Sequence, residues 1–293
     1  MNTRKRKYTT TILATALLFS LGGCVKDELH DTPHPDTGKV TVTVDWSDRG
    51  EGVDIPAEWT VTMGGYTGTE TGATHSPDYL FNPGSYTLAV YNPADDIMVS
   101  GTTAAVVQEA GNGAYISNPP GWLFPSVQEV AIEADTDYSL TAVMRQQVRQ
   151  LTLMIEPTGD AADRIESIEG ALSGAAGTMD FATGTYGAAS DVALHFTRIT
   201  EGDDAGKWTA TVRLLGITGE RQTLTATLTY SNGNPQPTEL ESDLTAALAD
   251  FNADKTEPLT LGGTMAETPA EAGVEAGITD WEKIDGGGVD AEM

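Results

Sequence analysis

The chain has 293 residues, of which 43 are Asp or Glu and 16 are Lys or Arg, so its formal net charge is −27. Such an acidic chain repels phosphate backbones and anionic lipid head groups, which argues against a nucleic-acid partner. Cys24 is the only cysteine, so no disulfide can form within the chain and its stability must come from core burial and strand pairing. A chain of this length favours two domains.

The N-terminus has the features of a secretory signal. Four consecutive basic residues, 4–7, are followed by an uncharged apolar run over residues 12–21. This run is far shorter than the roughly 20 residues that span a bilayer. A basic region, a short apolar stretch and small residues before a break are typical of a signal peptide and not of a transmembrane helix.

The signal ends in a short motif around the single cysteine. Leu21, Gly22 and Gly23 lead directly into Cys24, and this sequence resembles the lipobox of bacterial lipoproteins, whose cysteine is acylated and becomes the first mature residue. The resemblance implies that residues 1–23 are a lipoprotein signal peptide and that Cys24 carries a covalent lipid. The protein would then be anchored to the membrane without spanning it. An ordinary signal peptide followed by a chance cysteine is the alternative.

Residues 24–38 have the composition of an acidic tether that cannot bury a core. Its Lys-Asp-Glu sequence at 26–28 resembles the export tag of surface-exposed lipoproteins in certain Gram-negative anaerobes, which implies a place on the cell outer membrane. His30 and His34 are spaced as metal ligands could be, but Pro33 prevents a helix that would align them. We therefore predict no metal site. Removal of the signal would shift the net charge to −31, because that segment holds four basic and no acidic residues.

From Lys39 onward apolar and polar residues alternate, which is the period of strands with one buried face. The alternating stretches are 39–46, 85–92, 137–144, 150–156, 191–197, 207–214 and 222–230. Turn residues rich in Gly, Pro, Asn and Asp separate them, and residues 191–215 are expected to form a hairpin. The pattern predicts an all-β protein of antiparallel β-sandwiches. Only residues 239–252 have helical spacing, with Ser242 as N-cap, so we predict one short helix in the second domain.

The strand that ends near Met144 closes one series, and a new alternating series begins at Leu151. We therefore predict an N-terminal domain over residues 39–147 and a C-terminal domain over residues 148–293. No Gly- or Pro-rich linker lies between them, which predicts a rigid contact.

No motif in the chain has the spacing of a catalytic triad, a zinc protease or a nucleotide-binding loop. We predict that the protein is not an enzyme and has no cofactor besides the lipid on Cys24. His195 lies between inward-facing apolar residues and is expected to face solvent, whereas Trp208 follows the inward set and is expected in the core. Trp122 lies in a Pro-rich loop and is predicted to be an exposed contact for a partner.

Several pieces of the mature sequence, in order, resemble the lipidated anchor-type or tip-type subunits of type V pili. They are KVTVTVDWS, IPAEWTVTMGG, FNPGSYTLAVYN, RQLTLMIEP, IEGALSGAAG, VRLLGI, DLTAALADFN and ITDWEKIDGGG. The resemblance implies two tandem transthyretin-like β-sandwiches that assemble with other fimbrial subunits by β-strand exchange. It implies a fimbrial anchor or accessory subunit, and we expect the first strand, residues 39–45, to be retained as in anchors.

The C-terminal stretch is the second candidate for assembly. Ile278 and Trp281 precede three glycines, so this end could be a donor segment with Trp281 as a partner contact, or simply the last strand of the second domain. A glycan-binding surface lipoprotein for polysaccharide uptake is the alternative function. It predicts a flat platform of two or three exposed aromatic rings. The sequence leaves open whether the protein is an anchor, a tip or a length regulator.

Overall fold

The computed structural model describes residues 36–112, 114–160, 162–270 and 273–284. These residues contain twenty strands and two short 3-10 turns, Ala162–Arg164 and Ser231–Gly233, but no α-helix. The strands are β1 (Lys39–Asp45), β2 (Trp59–Met63), β3 (Tyr66–Glu70), β4 (Thr74–His75), β5 (Gly84–Tyr91), β6 (Ile97–Ser100), β7 (Thr103–Val106), β8 (Tyr115–Ile116), β9 (Pro125–Ile132), β10 (Asp137–Val143), β11 (Arg149–Thr158), β12 (Ile165–Ala176), β13 (Thr178–Asp180), β14 (Thr185–Tyr186), β15 (Ala189–Arg198), β16 (Trp208–Leu214), β17 (Thr223–Tyr230), β18 (Thr238–Asp243), β19 (Leu259–Ala270) and β20 (Gly273–Lys283).

Two sheets in the first half, which we call the first sandwich, cover one apolar core. Their strand orders are β10-β1-β4 and β3-β2-β5-β9. β1 lies in the middle of its sheet, parallel to β10 over seven residue pairs and antiparallel to β4. The core between the sheets contains Val40, Val42, Trp59, Leu88 and Phe124 among its buried residues.

Eight strands of the second half form a closed sheet. Their order is β12-β17-β18-β20-β19-β11-β16-β15, and β15 pairs back with β12. The joint between β18 and β20 is a single pair, Leu240 with Ala276, whereas the β19–β20 pair extends over most of both strands. The interior is apolar and includes Leu153, Leu228 and Phe251.

The prediction of purely antiparallel sheets is wrong in part. β1 runs parallel to β10, and β11 runs parallel to β19 over eight pairs. In each case the partner lies far along the chain, which gives the long connection that a parallel pair needs. Local alternation predicts a strand and its buried face, but it contains no information about so distant a partner.

The strands between the two halves, β6, β7 and β8, do not join a single sheet. β6 and β7 form a small sheet with β13 and β14, and β8 extends the closed sheet beside β15. Ala104, Val106, Ile116 and Leu123 pack in the core of the closed sheet. Residues before position 147 therefore complete the second core, while the domain boundaries themselves stay a prediction.

The all-β prediction is confirmed, and the alternating stretches form strands with the predicted faces buried. The predicted helix over 239–252 is not found. Thr238, Leu240 and Ser242 are buried on alternate positions of β18, and β18 pairs with β17. Residues 244–253 then form turns, in which Leu244, Leu248 and Phe251 are buried without continuing as a helix. Apolar residues four apart fit a strand followed by a turn as well as a helix.

Candidate functional site

The predicted lipid site lies outside the described residues. Leu21, Gly22, Gly23 and Cys24, like His30 and His34, belong to the segment before residue 36. In the residues that the structure describes, no helix is long and apolar enough to cross a membrane. The same residues contain no group of three or more His, Cys, Asp or Glu placed to hold a metal.

The first strand is held along its whole length. Val40, Val42 and Val44 are buried in the core of the first sandwich. Gly38, just before β1, exchanges two main-chain hydrogen bonds with Phe81, with N···O distances of 2.8 and 2.9 Å. Alternating valines fill the core while the threonines between them face outward, as the sequence predicts, so β1 is an integral strand of its sheet.

Trp122 is not the exposed aromatic residue that the sequence analysis predicted. Its ring is half-buried and packs against both hydrophobic cores. The guanidinium of Arg213 lies 5.6 Å from the ring centroid, and Asn92 Nδ2 donates to the Trp122 carbonyl at 2.8 Å. Asn92 Oδ1 also accepts a hydrogen bond from Phe124 N at 2.7 Å, which fixes the loop. Trp122 therefore lies where the two cores meet, and its contact with a partner stays a prediction.

Gln146 connects the two halves. Its Oε1 accepts a hydrogen bond from Gly50 N at 2.9 Å, and its Nε2 donates to the carbonyls of Val148 (3.0 Å) and Lys255. A Cβ on Gly50 would collide with the Thr256 carbonyl, so only glycine allows this close approach. The loop at residue 50 and the turn at 254–256 are thereby bound together.

Lys255 lies beside Gln146 and is largely desolvated. Its Nζ donates to the carbonyls of Gln147 and Leu215, both at 2.9 Å, and lies 4.9 Å from the centroid of the Tyr186 ring. It forms no ion pair with any residue that the structure describes. Burial, with a smaller contribution from nearby Arg149, lowers the pKa of Lys255 to about 7, and burial raises the pKa of Tyr186 to about 12.

Ile278 and Trp281 lie in β20, the last described strand, as one of the two alternatives proposed, and the three glycines lie outside the described residues. Trp281 lies in β20, is half-buried against the core of the closed sheet and donates from Nε1 to Ser242 Oγ at 2.9 Å. Ser242 Oγ in turn donates to the Ile278 carbonyl at 3.1 Å. These contacts hold Trp281 within the fold, and its role as a partner contact stays a prediction.

His195, in the second half, and His75, in the first half, differ in exposure. His195 is exposed at 74%, as predicted, and its Nδ1 lies 2.7 Å from Glu169 Oε2. His75 is more buried, with Nδ1 at 3.0 Å from Glu70 and Nε2 at 2.9 Å from the Tyr66 hydroxyl. Sequence analysis missed the junction residues, because polar residues such as Gln146 and Lys255 resemble surface residues in a sequence.

The residues above describe an all-β protein with two cores, joined by polar contacts, and with its first and last described strands built into sheets. A family model shows which class of such proteins this is. The model for the fimbrillin-A associated anchor proteins Mfa1 and Mfa2 matches residues 59–285. Because the match spans well over half of the chain, the protein belongs to this family. A search of curated proteins gave no match.

Three solved structures share the fold at low sequence identity. The fimbrial anchor protein Mfa2 of Porphyromonas gingivalis is 15% identical, with a TM-score of 0.56 over 84% of this chain and 97% of that one. A candidate adhesin of Bacteroides ovatus is 17% identical, with a TM-score of 0.58 over 87% and 97%. A candidate polysaccharide-binding protein of Bacteroides thetaiotaomicron is 11% identical, with a TM-score of 0.52 over 85% and 98%. At these identities the likeness concerns the fold.

Proposed function

We propose that the protein is an outer-membrane lipoprotein that acts as a fimbrial anchor or accessory subunit and assembles with other pilins by β-strand exchange. The family match over residues 59–285 carries this proposal. In it, the first sandwich and the closed sheet act as two domains in series, and the second is a closed sheet instead of the transthyretin-like sandwich that the resemblance implied. The role is mechanical, so the proposal includes no catalytic step and no cofactor.

The lipid on Cys24 supplies the attachment in this proposal. The segment between Cys24 and Gly38, if extended, would reach about 50 Å from the bilayer at roughly 3.5 Å per residue. A single acyl chain binds membranes reversibly, so more than one chain is needed for stable retention. The pilus would then be attached to the outer membrane through covalent lipid, with both cores outside the bilayer.

Burial of β1 supports its retention in the mature protein. Removing it would expose the facing residues of the core that Val40, Val42 and Val44 now cover. Burial of one such side chain contributes roughly 1.5–3 kcal/mol, so the loss of three would destabilise the first sandwich severely. Mass spectrometry of protein purified from the cell surface tests this. A mature N-terminus at Cys24 is expected, whereas one at Val40 or Gly50 would contradict the anchor role.

The attachment is tested by Cys24→Ala in the producing cell, with Ser20→Ala, in the predicted signal, as the control. The unmodified protein and the control are expected in the outer membrane together with polymeric pilin. The Cys24 variant is expected to lose the lipid and to be released from the membrane fraction. Retention of Cys24→Ala in that fraction, or absence of pilin from preparations of the unmodified protein, would contradict the proposal.

The alternative glycan-binding function predicts two or three exposed aromatic rings on one face. Of the aromatic residues that the structure describes, Tyr79 is the one counted as exposed, at 40%. Tyr66 and Tyr86 beside it are half-buried by ring contacts. The structure therefore provides no specific observation that favours this alternative over the pilus role.

A further inference from the structure

β9 and β10 follow each other in the chain but are not paired along their length. β9 pairs with β5 and β10 pairs with β1, so the two strands are edges of different sheets. Apart from one long side-chain contact, they are joined only near their ends. At one end Arg145 N donates to Pro125 O at 3.1 Å, and at the other Glu133 N donates to the Tyr138 hydroxyl at 2.9 Å. An open cleft lies between these two contacts.

The main-chain groups that point into the cleft follow from alternation along each strand. Directly after β10, Met144 N donates to the carbonyl of Asp45, the last residue of β1, whereas Arg145 N points the other way, to Pro125 of β9. Odd-numbered residues of β10 therefore face the cleft, and the bond to Pro125 O indicates the same for β9. The residues concerned are Val127, Glu129, Ala131, Ser139, Thr141 and Val143.

These six residues have no main-chain hydrogen bond to one another or to any other described residue on the cleft side. The one polar contact across the opening is a long one, from Gln128 Nε2 to the Thr141 carbonyl at 3.4 Å. Free N–H and C=O groups on two facing edges are the groups that an added strand uses.

At the end of the cleft near Arg145 lies a cavity of about 700 Å³, which extends to residues 179–184 and has a nearly neutral lining. Val127 and Val143 line it from the two strands, and Met179 of β13 and Phe181, just after β13, line it from the opposite side. Its charged residues, Glu129 and Arg145, are of opposite sign. On a chain of net charge −27, this lining suits an uncharged peptide better than an acidic one.

The other strands that end a sheet among the described residues are shorter. The eight-stranded sheet closes on itself, although β18 and β20 share only one residue pair, and the remaining edge strands β3, β4, β6, β8 and β14 have five, two, four, two and two residues. β9 and β10 have eight and seven. Between residues 126 and 132, β9 also lacks the Lys and Pro residues that commonly protect an edge from pairing.

We propose that the β9–β10 cleft is the acceptor site for an extended, uncharged segment of a neighbouring pilus subunit. This inference rests on the proposed pilus function and adds where the strand is received. A segment of about seven residues would match the open length at roughly 3.4 Å per residue. The main chain of this segment bonds to the six residues whose main-chain groups point into the cleft. Its alternate side chains contact the apolar lining.

Glu129→Pro tests the site by removing a main-chain donor of the cleft, and it also removes the exposed side-chain hydrogen bond from Thr87 Oγ1 to Glu129 Oε1 at 2.6 Å. Proline removes the Glu129 N–H, which faces the cleft, and leaves the hydrogen bonds between β9 and β5 in place. Thr67→Pro is the matched control. The two-residue turn at 64–65 makes Tyr66 the residue bonded to Met63, so Thr67 N–H points away from β2 on the edge of β3. Thermal unfolding of both variants confirms that they fold.

Both variants are expressed in the producing cell, and the amount recovered with polymeric pilin is compared with the unmodified protein. We expect Glu129→Pro to reduce recovery by at least about tenfold, because the loss of one main-chain donor leaves a buried carbonyl of the added strand unpaired, and Thr67→Pro to leave it unchanged. Equal recovery of Glu129→Pro and the unmodified protein would overturn the acceptor site and leave the pilus function intact. Failure of the unmodified protein to co-purify would overturn both.

Amide hydrogen exchange of the unmodified protein provides a test that does not depend on a variant. In the free protein, the cleft-facing amides of β9 and β10 are expected to exchange quickly. The even-numbered amides of the same strands, which face β5 and β1, are expected to exchange slowly. In the pilus-bound protein the cleft-facing amides should become protected by at least about tenfold. Unchanged exchange at these amides in the pilus-bound form would overturn the inference even if Glu129→Pro could not be purified.

Discussion

The first sandwich and the closed sheet solve the problem of sheet edges differently. In the closed sheet every strand has a neighbour on both sides, because β15 pairs back with β12. In the first sandwich two sheets end in free edges, the longest of them at β9 and β10. A closed sheet has no edge to offer another chain, so within the described residues it can serve as a rigid support. An open sandwich can receive a strand without losing one of its own.

The polar junction determines whether these two regions behave as one unit. Trp122 packs against both cores, and Gln146 bonds to residues on both sides. Force applied to a strand held in the first sandwich would reach the closed sheet through these contacts. Substitutions in each core, at the junction and far from both test whether the two regions behave as one unit.

The largest effect is expected from the same truncation in each core, Leu88→Ala in the first sandwich and Leu153→Ala in the closed sheet. Both side chains are almost completely buried, so each change should cost about 2–5 kcal/mol of unfolding free energy. Because the junction couples the cores, urea unfolding should show one transition that either variant shifts. Two transitions, each sensitive to only one variant, would show that the halves unfold independently.

The next largest effect concerns Lys255 at the junction and is a change in how the free energy of unfolding depends on pH. The pKa of Lys255 is lowered to about 7 in the folded protein from 10.5, so between these values the unfolded chain binds a proton that the folded chain does not. The free energy of unfolding should therefore rise with pH from about 7 towards 10.5, by at most about 1.4 kcal/mol per pH unit. The two carbonyls and the Tyr186 ring favour the ammonium and reduce this slope.

Lys255→Met removes the titrating group and should flatten the rise, with a difference of roughly 2 kcal/mol accumulated between pH 7 and 9. Lys39→Met, at an exposed position of β1, is the control and should leave the slope unchanged. Urea unfolding at fixed ionic strength measures both. Because the pKa of Tyr186 is raised to about 12, its loss of a proton opposes folding only above about pH 10, outside this range. Parallel curves for Lys255→Met and the unmodified protein would contradict the assignment.

A smaller loss is expected from Gln146→Leu, which keeps the approximate size and removes the three hydrogen bonds of the side chain. Unpaired buried groups on Gly50, Val148 and Lys255 should cost about 1–3 kcal/mol. Exchange protection should fall at Gly50 before it falls in the core strands. Gln128→Leu, whose side chain makes only the long contact across the cleft, should change stability by less than about 0.5 kcal/mol.

Local pattern explains how much of this structure the sequence could predict. Val40, Val42 and Val44 alternate with threonine, and a strand with one buried face is the arrangement that satisfies all of them. The parallel partners of β1 and β11 lie about a hundred residues away, where no local pattern reaches. The β9–β10 cleft was missed for the same reason, since it depends on which strands fail to pair. Trp122 was misjudged because a Pro-rich loop can cover a core as well as leave it exposed.

The smallest effect is expected at the hydrogen bond between His195 and Glu169 on the outer face of the closed sheet. The side chains are 74% and 59% exposed and lie on neighbouring strands, β15 and β12. Water screens such a pair and ordering the side chains opposes it, so His195→Gln and Glu169→Gln should each change stability by less than about 0.5 kcal/mol. A double-mutant cycle measured by urea unfolding isolates the pair. A coupling above about 1 kcal/mol would mean that the pairing of β12 with β15, which closes the sheet, depends on surface side chains as well as on main-chain hydrogen bonds.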